Sequence, residues 1–178
     1  MDLADQRILV TGGTGMIGRE LTNLLLLMGA KLRVVSLDTP IGVPSEVEFI
    51  NRDLTVYENC LSACADMDYV FNLVGVKGSA SASATKPLSF FVPMIRYNTN
   101  MMEAAFRSNV EWFLYTSSIG VYANHAGVSH EDDVWATFPS ENDKLPGWAK
   151  RIGELQAQGY ATQHNWSNIS IVRPANVY

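Results

Sequence analysis

The chain has 178 residues, 47% of them hydrophobic and 17% charged, with a formal net charge of −5. That length suits one domain with a sizeable core and is short for two. The negative charge argues against nucleic acid or an anionic membrane surface as partner, because neither would attract it. The N-terminal MDLADQRILV lacks the basic start and apolar run of a signal peptide. The longest greasy stretch, residues 24–28, is too short to cross a bilayer. The expected location is the cytoplasm, with no membrane contact.

Arg7 to Thr11 (RILVT) reads as a first strand running directly into GGTGMIG. Ile17, Leu21, Leu24, Leu25 and Met28 then recur at helical spacing, until Gly29 stands where a terminating glycine belongs. LRVVSL (32–37) is a second strand, closed by Asp38, Thr39 and Pro40, and VEFI (47–50) is a third. Thr55 can cap a helix reaching about Ala65, and MDYVFNLVG (67–75) holds a fourth strand. SASASAT (79–85) reads as a polar loop. Pro87 to Ser108 is helical in pattern, with a break expected near Pro93. EWFLYTSS (111–118) and ISIV (169–172) are the fifth and sixth strands, with a helix from about Gly147 to His164 between them.

Strands that alternate with helices, without hairpin turns, imply parallel pairing through crossovers. Strands that are apolar nearly throughout imply helices on both faces of the sheet. The expected fold class is therefore α/β, a Rossmann-type doubly wound parallel sheet in the order 3-2-1-4-5-6, forming a single domain over 1–178. Cys60 and Cys64, at i, i+4 spacing, are expected to be buried reduced thiols. No metal site is expected, since no histidine cluster completes a ligand set.

The loop TGGTGMIG points to chemistry. Gly12 permits a tight turn, Gly15 lets backbone approach a diphosphate, and Gly18 lets the helix pack close to the strand. Gly13, Thr14, Met16 and Ile17 complete the cradle. The helix start then offers free N–H groups and partial positive charge to phosphates. At the end of the second strand, where an acid should accept from the adenosine ribose, the position falls on Ser36, with Asp38 two residues later. No arginine follows directly to receive a 2′-phosphate. These residues favour NAD as cofactor, with NADP the alternative.

The motifs resemble those of the extended short-chain dehydrogenase/reductases, the NAD-dependent epimerase/dehydratase family acting mostly on nucleotide sugars. TGGTGMIG is similar to its glycine loop, Asp53-Leu54 to its adenine-contacting pair, and Leu73-Val74-Gly75 to the segment lining the cofactor. Asn100 followed by MMEAA resembles its fourth-helix signature, TSSIGVY (116–122) its serine motif, and IVRPANVY (171–178) its arginine–proline segment. The resemblance implies a serine that orients substrate, at Ser118, and a lysine that holds the nicotinamide ribose, at Lys150. The family's proton-transferring tyrosine falls on Pro146, which has no ionisable group but can begin a helix without penalty. The same alignment puts a family asparagine at Met94.

Tyr115 and Tyr122 flank the serine and are the candidate substitutes for the missing phenol. Lys77 is a candidate contact for substrate phosphates, with a surface lysine as the plain alternative; His125 and His130 read as solvated. By the resemblance, a C-terminal sugar-binding portion is absent, and the chain is the cofactor half of a longer enzyme. A non-catalytic dinucleotide-binding or regulatory module is the rival reading, and a short enzyme using Ser118, Lys150 and water a third. The implied partners are the dinucleotide, a nucleotide sugar, and a second copy of the chain meeting through the helices near Pro87 and Gly147.

Overall fold

Ile8, Leu9 and Val10 have no solvent exposure, as a strand apolar on both faces requires when helices cover it from either side. They belong to β1 (Arg7–Thr11), near the centre of a six-stranded parallel sheet. The other strands are β2 (Lys31–Ser36), β3 (Glu48–Asn51), β4 (Tyr69–Asn72), β5 (Trp112–Thr116) and β6 (Ile169–Val172). Their order is β3-β2-β1-β4-β5-β6, as expected. The order reverses between β1 and β4, and sheets of this kind open a crevice there, at the carboxyl ends of the strands. This computed structural model describes every residue except Met1, Asp2, Lys77, Ser79, His125, Ala126, Asn176 and Tyr178. The readings at Lys77 and His125 therefore lie outside the described residues.

The helices are α1 (Met16–Leu27), α2 (Tyr57–Cys64), α3 (Ala80–Thr85), α4 (Leu88–Arg107) and α5 (Lys144–His164). Alternate residues of each central strand serve opposite layers. Leu9, Val35, Val70 and Phe113 pack with Met101, Met102 and Ala105 of α4 and Ala157 of α5. Ile8, Val10 and Val34 pack with Leu25 of α1. Cys60 and Cys64 are buried free thiols in the first layer. Burial pushes Cys60 up to about 12, and its Sγ donates to the Leu54 carbonyl.

Three local expectations change. Residues 80–85 form a short helix rather than a loop, within reach of serine- and alanine-rich sequence. Pro93 lies inside α4 without ending it. Its missing amide forfeits one backbone bond, while buried Met94, Tyr97, Met101 and Met102 keep the helix seated. Helix α5 starts at Lys144, which puts Pro146 third in the helix. That is still the first turn, where amides have no intrahelical acceptor.

The amino edge of the sheet is tied by charge. Arg7 bonds Asp68 through Nη2 at 2.5 Å. Arg33 bonds Glu48 at 2.8 Å and donates to the carbonyls of Ala63 and Ala65, which close α2.

Candidate cofactor-binding site

Between β1 and α1 the chain must turn over the carboxyl end of the sheet within residues 12–15. Gly12 does so at φ +66, and a Cβ there would lie 3.0 Å from Leu73 O and Val74 Cα. Gly18 sits in the first turn of α1, where a Cβ would lie 2.4 Å from Gly12 O. Helix and loop thus approach at a distance that only glycine permits. Gly15 is the N-cap and supplies no side-chain acceptor to the first-turn amides. The positive end of α1 is left for an anion. Gly13 behaves differently. It is buried, with its Cβ position 2.7 Å from Val34 Cγ1, and serves packing.

This loop forms one wall of a cleft of about 910 Å³. Gly12, Thr14, Gly15, Met16, Ile17 and Gly18 line it on that side. Ser36 and Asp38 beyond β2, Asp53 and Leu54 beyond β3, and Leu73, Val74 and Gly75 beyond β4 complete the walls. Of the cofactor positions read from the sequence, Gly13 and Lys150 alone stand outside the lining. Arg52, Arg96 and Tyr97 also line the cleft. Sequence reasoning missed them, because an arginine after a strand or on a helix carries no signal that separates it from a surface residue.

Side-chain bonds fix the walls. Thr14 Oγ1 lies 2.7 Å from Ser36 Oγ and donates to Asp38 Oδ2 at 2.9 Å, joining the glycine loop to the end of β2. Asp53 Oδ1 accepts from the Thr55 amide at 2.8 Å. Thr55 is therefore held by Asp53 rather than capping α2, whose N-cap is Val56. Behind the cleft, Thr11 Oγ1 accepts from the Val74 amide at 3.1 Å and donates to Asn72 Oδ1 at 2.8 Å. Asn72 Nδ2 in turn donates to Asn98 Oδ1 at 3.2 Å. The asparagine that α4 turns to the sheet is Asn98, one turn beyond the expected Met94, which is core. Asn100 donates to the Thr55 carbonyl at 3.0 Å.

A second cluster stands at the end of β5. Lys150 is 8% exposed, and its Nζ donates to the Thr116 carbonyl at 2.6 Å, 5.5 Å from the Tyr115 ring centroid. Burial pulls its pKa down to about 8. Ser118 is half-buried and caps a 3-10 turn by accepting from the Gly120 amide at 3.1 Å. The structure thus brings Ser118 and Lys150 to the same strand end.

Tyr115 is sealed away from the cleft, whereas Tyr122 is half-buried and keeps its proton. Tyr115 is fully buried and donates to the Lys150 carbonyl at 3.1 Å. Burial raises its pKa well above the ordinary phenol value. The Tyr122 hydroxyl accepts from Arg173 Nη1 at 2.8 Å. Beneath them lies a pair that sequence reasoning missed. Glu154, with no exposure, accepts from Arg173 Nη2 at 2.7 Å and Nε at 3.0 Å, and from Ser117 Oγ at 2.5 Å. Nothing in the sequence separates Glu154 from a solvated helical glutamate, because its partner Arg173 lies 19 residues away.

The cleft suits a dinucleotide in shape and donor set: a glycine cradle that a Cβ would fill, a helix start beside it, and a hydroxyl–carboxylate group at the end of β2. Among the described residues, no helix is long and apolar enough to cross a membrane.

Comparison with known proteins fits this geometry. A 3 beta-hydroxysteroid dehydrogenase/Delta 5-->4-isomerase of Mycobacterium tuberculosis is 29% identical over 143 residues, 77% of this chain and 38% of its own length. GDP-mannose 3,5-epimerase 1 of Oryza sativa is 28% identical over 143 residues, 76% of this chain and 38% of its own. A UDP-galactose 4-epimerase structure matches with TM-score 0.78 at 28% identity, over 94% of this chain and 55% of that one. This chain spans well under two thirds of each. Residues 8–178 match the NAD dependent epimerase/dehydratase family, to which the chain belongs.

Proposed function

We propose that this chain is the dinucleotide-binding part of a nucleotide-sugar epimerase, dehydratase or reductase. The observation that carries the reading is the single cleft shared by the glycine loop, Asp38, Asp53-Leu54 and residues 73–75. When bound, a nicotinamide dinucleotide supplies the hydride acceptor and donor for a sugar carbon. The amides of α1 hold the diphosphate. Asp38, fixed by Thr14, accepts from ribose hydroxyls and disfavours a 2′-phosphate, which favours NAD over NADP. Lys150 holds the nicotinamide ribose, and Ser118 orients the substrate oxygen. The GDP-mannose and UDP-galactose epimerases among its relatives support a nucleotide sugar as substrate, with a steroid alcohol the competing class. A cytoplasmic homodimer through α4 and α5 completes the reading.

Fluorescence titration with NADH tests it. Saturable binding is expected; no saturation at millimolar NADH refutes the reading.

A second reading, a non-catalytic dinucleotide-binding module, is favoured by Pro146 together with the sealed Tyr115. General acid–base help is typically worth roughly 10² to 10⁴ in rate. In a longer chain containing this segment, Pro146→Tyr raises turnover if the first reading holds, and changes nothing if the second does.

A further inference from the structure

Two arginines line the cleft without a role in the reading above: Arg52, directly after β3, and Arg96, on α4. Both are exposed. Arg52 spends its Nη1 on the Asn51 carbonyl at 2.9 Å. Among the described residues, no hydrogen bond or ion pair engages the Arg96 guanidinium. A planar cation on the wall of a ligand cleft is thus left with its donors and both faces open.

The helix decides which end of the cleft Arg96 serves. Val92, Arg96 and Asn100 follow one another at four-residue spacing and share one ridge of α4. Asn100 Nδ2 donates to the carbonyls of Thr55 at 3.0 Å and Leu54 at 3.4 Å, pinning that ridge to the chain that leaves β3. Arg96 stands one turn before Asn100 and lines the cleft together with Asp53 and Leu54. Ser36 pairs with Asn51 in the sheet, and Asn51 Nδ2 donates to the Asp38 carbonyl at 3.2 Å, so the ends of β2 and β3 form one rim. This rim is the adenosine end of the crevice.

The lining there favours one kind of group. Leu37, Leu54, Val92 and Pro93 supply apolar surface from three elements. Asp38 and Asp53 stand among them and repel a further phosphate. A guanidinium beside an apolar slot edged by carboxylates suits a flat, neutral ring, because it stacks by its plane and attracts the π face by its charge.

We propose that Arg96 is a ligand-binding residue for the adenine base, stacking its guanidinium on the ring from the α4 side. The inference rests on the dinucleotide reading above. The strand ends supply an acid and an apolar floor, and Arg96 adds a face-on contact from a helix. Every group this contact needs belongs to the adenosine half of the ligand, so ADP binds without the nicotinamide.

The test is fluorescence titration of the 178-residue chain with NADH, with ADP and inorganic diphosphate as competitors. Arg96→Leu should weaken NADH and ADP by about fivefold each, the size of a stacked cation at a partly exposed site. Competition by inorganic diphosphate, which has no base, should not change. Arg96→Lys keeps the charge but loses the plane and should recover little of the affinity. Unchanged NADH and ADP binding in Arg96→Leu overturns the inference. So does an equal loss for inorganic diphosphate, or full recovery in Arg96→Lys, since either makes the contact one of charge with a phosphate. In all three cases NADH binding by the unaltered chain leaves the dinucleotide reading standing. Failure of the unaltered chain to bind either NADH or ADP overturns both.

Discussion

The Glu154 carboxylate and the Arg173 guanidinium meet at two points, 2.7 Å and 3.0 Å, and join the middle of α5 to the segment after β6. Glu154 raises the Arg173 pKa above its usual value. A buried charge that loses its partner typically costs about 3–5 kcal/mol. Arg173→Met should therefore lower stability by about that amount in urea denaturation, since it strands the Glu154 carboxylate. Glu154→Gln, which keeps the shape and part of the hydrogen bonding, should cost less. Equal losses in the two variants would contradict this account.

Gly153 lets α5 approach β5. A Cβ at that position would lie 2.3 Å from the Cζ and hydroxyl oxygen of Tyr115. Tyr115 is fully buried, so it has no room to retreat. Gly153→Ala should destabilise the fold by at least about 1–3 kcal/mol, the usual penalty for overpacking a core. The thermal midpoint is the measurement, and the loss should shrink when Tyr115 is also replaced by a smaller residue.

Lys150 makes stability depend on alkaline pH. Its folded pKa of about 8 lies below the ordinary 10.5, so folding disfavours the charged form. The penalty is present in full below pH 8, declines between 8 and 10.5, and vanishes above. Lys150→Met should therefore stabilise the chain near neutral pH by roughly 2 kcal/mol. That figure is about 3 of relieved desolvation less about 1 for the bond lost by the Thr116 carbonyl. The gain should disappear as pH approaches 10.5. Denaturant unfolding across that range measures it.

Gly18→Ala addresses the cradle. The new Cβ would lie 2.4 Å from Gly12 O and 2.6 Å from Gly13 Cα, both backbone atoms unable to swing aside. The loop must open, and the α1 amides lose their aim at the diphosphate. NADH affinity should fall by at least about tenfold, while the far-UV circular dichroism of the sheet and helices stays unchanged. Unaltered affinity would separate the loop from binding.

Much of this was legible in the residues themselves. Apolar runs separated by helical patterns made the strands legible, because a strand covered on both faces has no polar positions to blur it, and the order followed from the Rossmann-type pattern. The glycine loop and the strand-end residues Ser36, Asp38, Asp53 and Leu73 came together in one cleft because crossovers deliver every strand end to the same edge. What sequence hid was burial of charge. Arg151 and Glu154 on a helix look solvated, and only the packing of α5 against β5 and Arg173 shows otherwise. Pro93 misled for a related reason, since propensity predicts a break that tertiary contacts override. The short helix at residues 80–85 has no apolar periodicity to announce it.

The ionic ties of Arg7 to Asp68 and of Arg33 to Glu48 and the end of α2 all lie at the amino edge of the sheet, opposite the nucleotide cleft. Added electrolyte therefore acts on the two rims separately, screening strand-end pairs on one and anion capture on the other. Ligand grip and rigidity can drift independently as ionic strength changes, because these amino-edge pairs share no charge with the cleft.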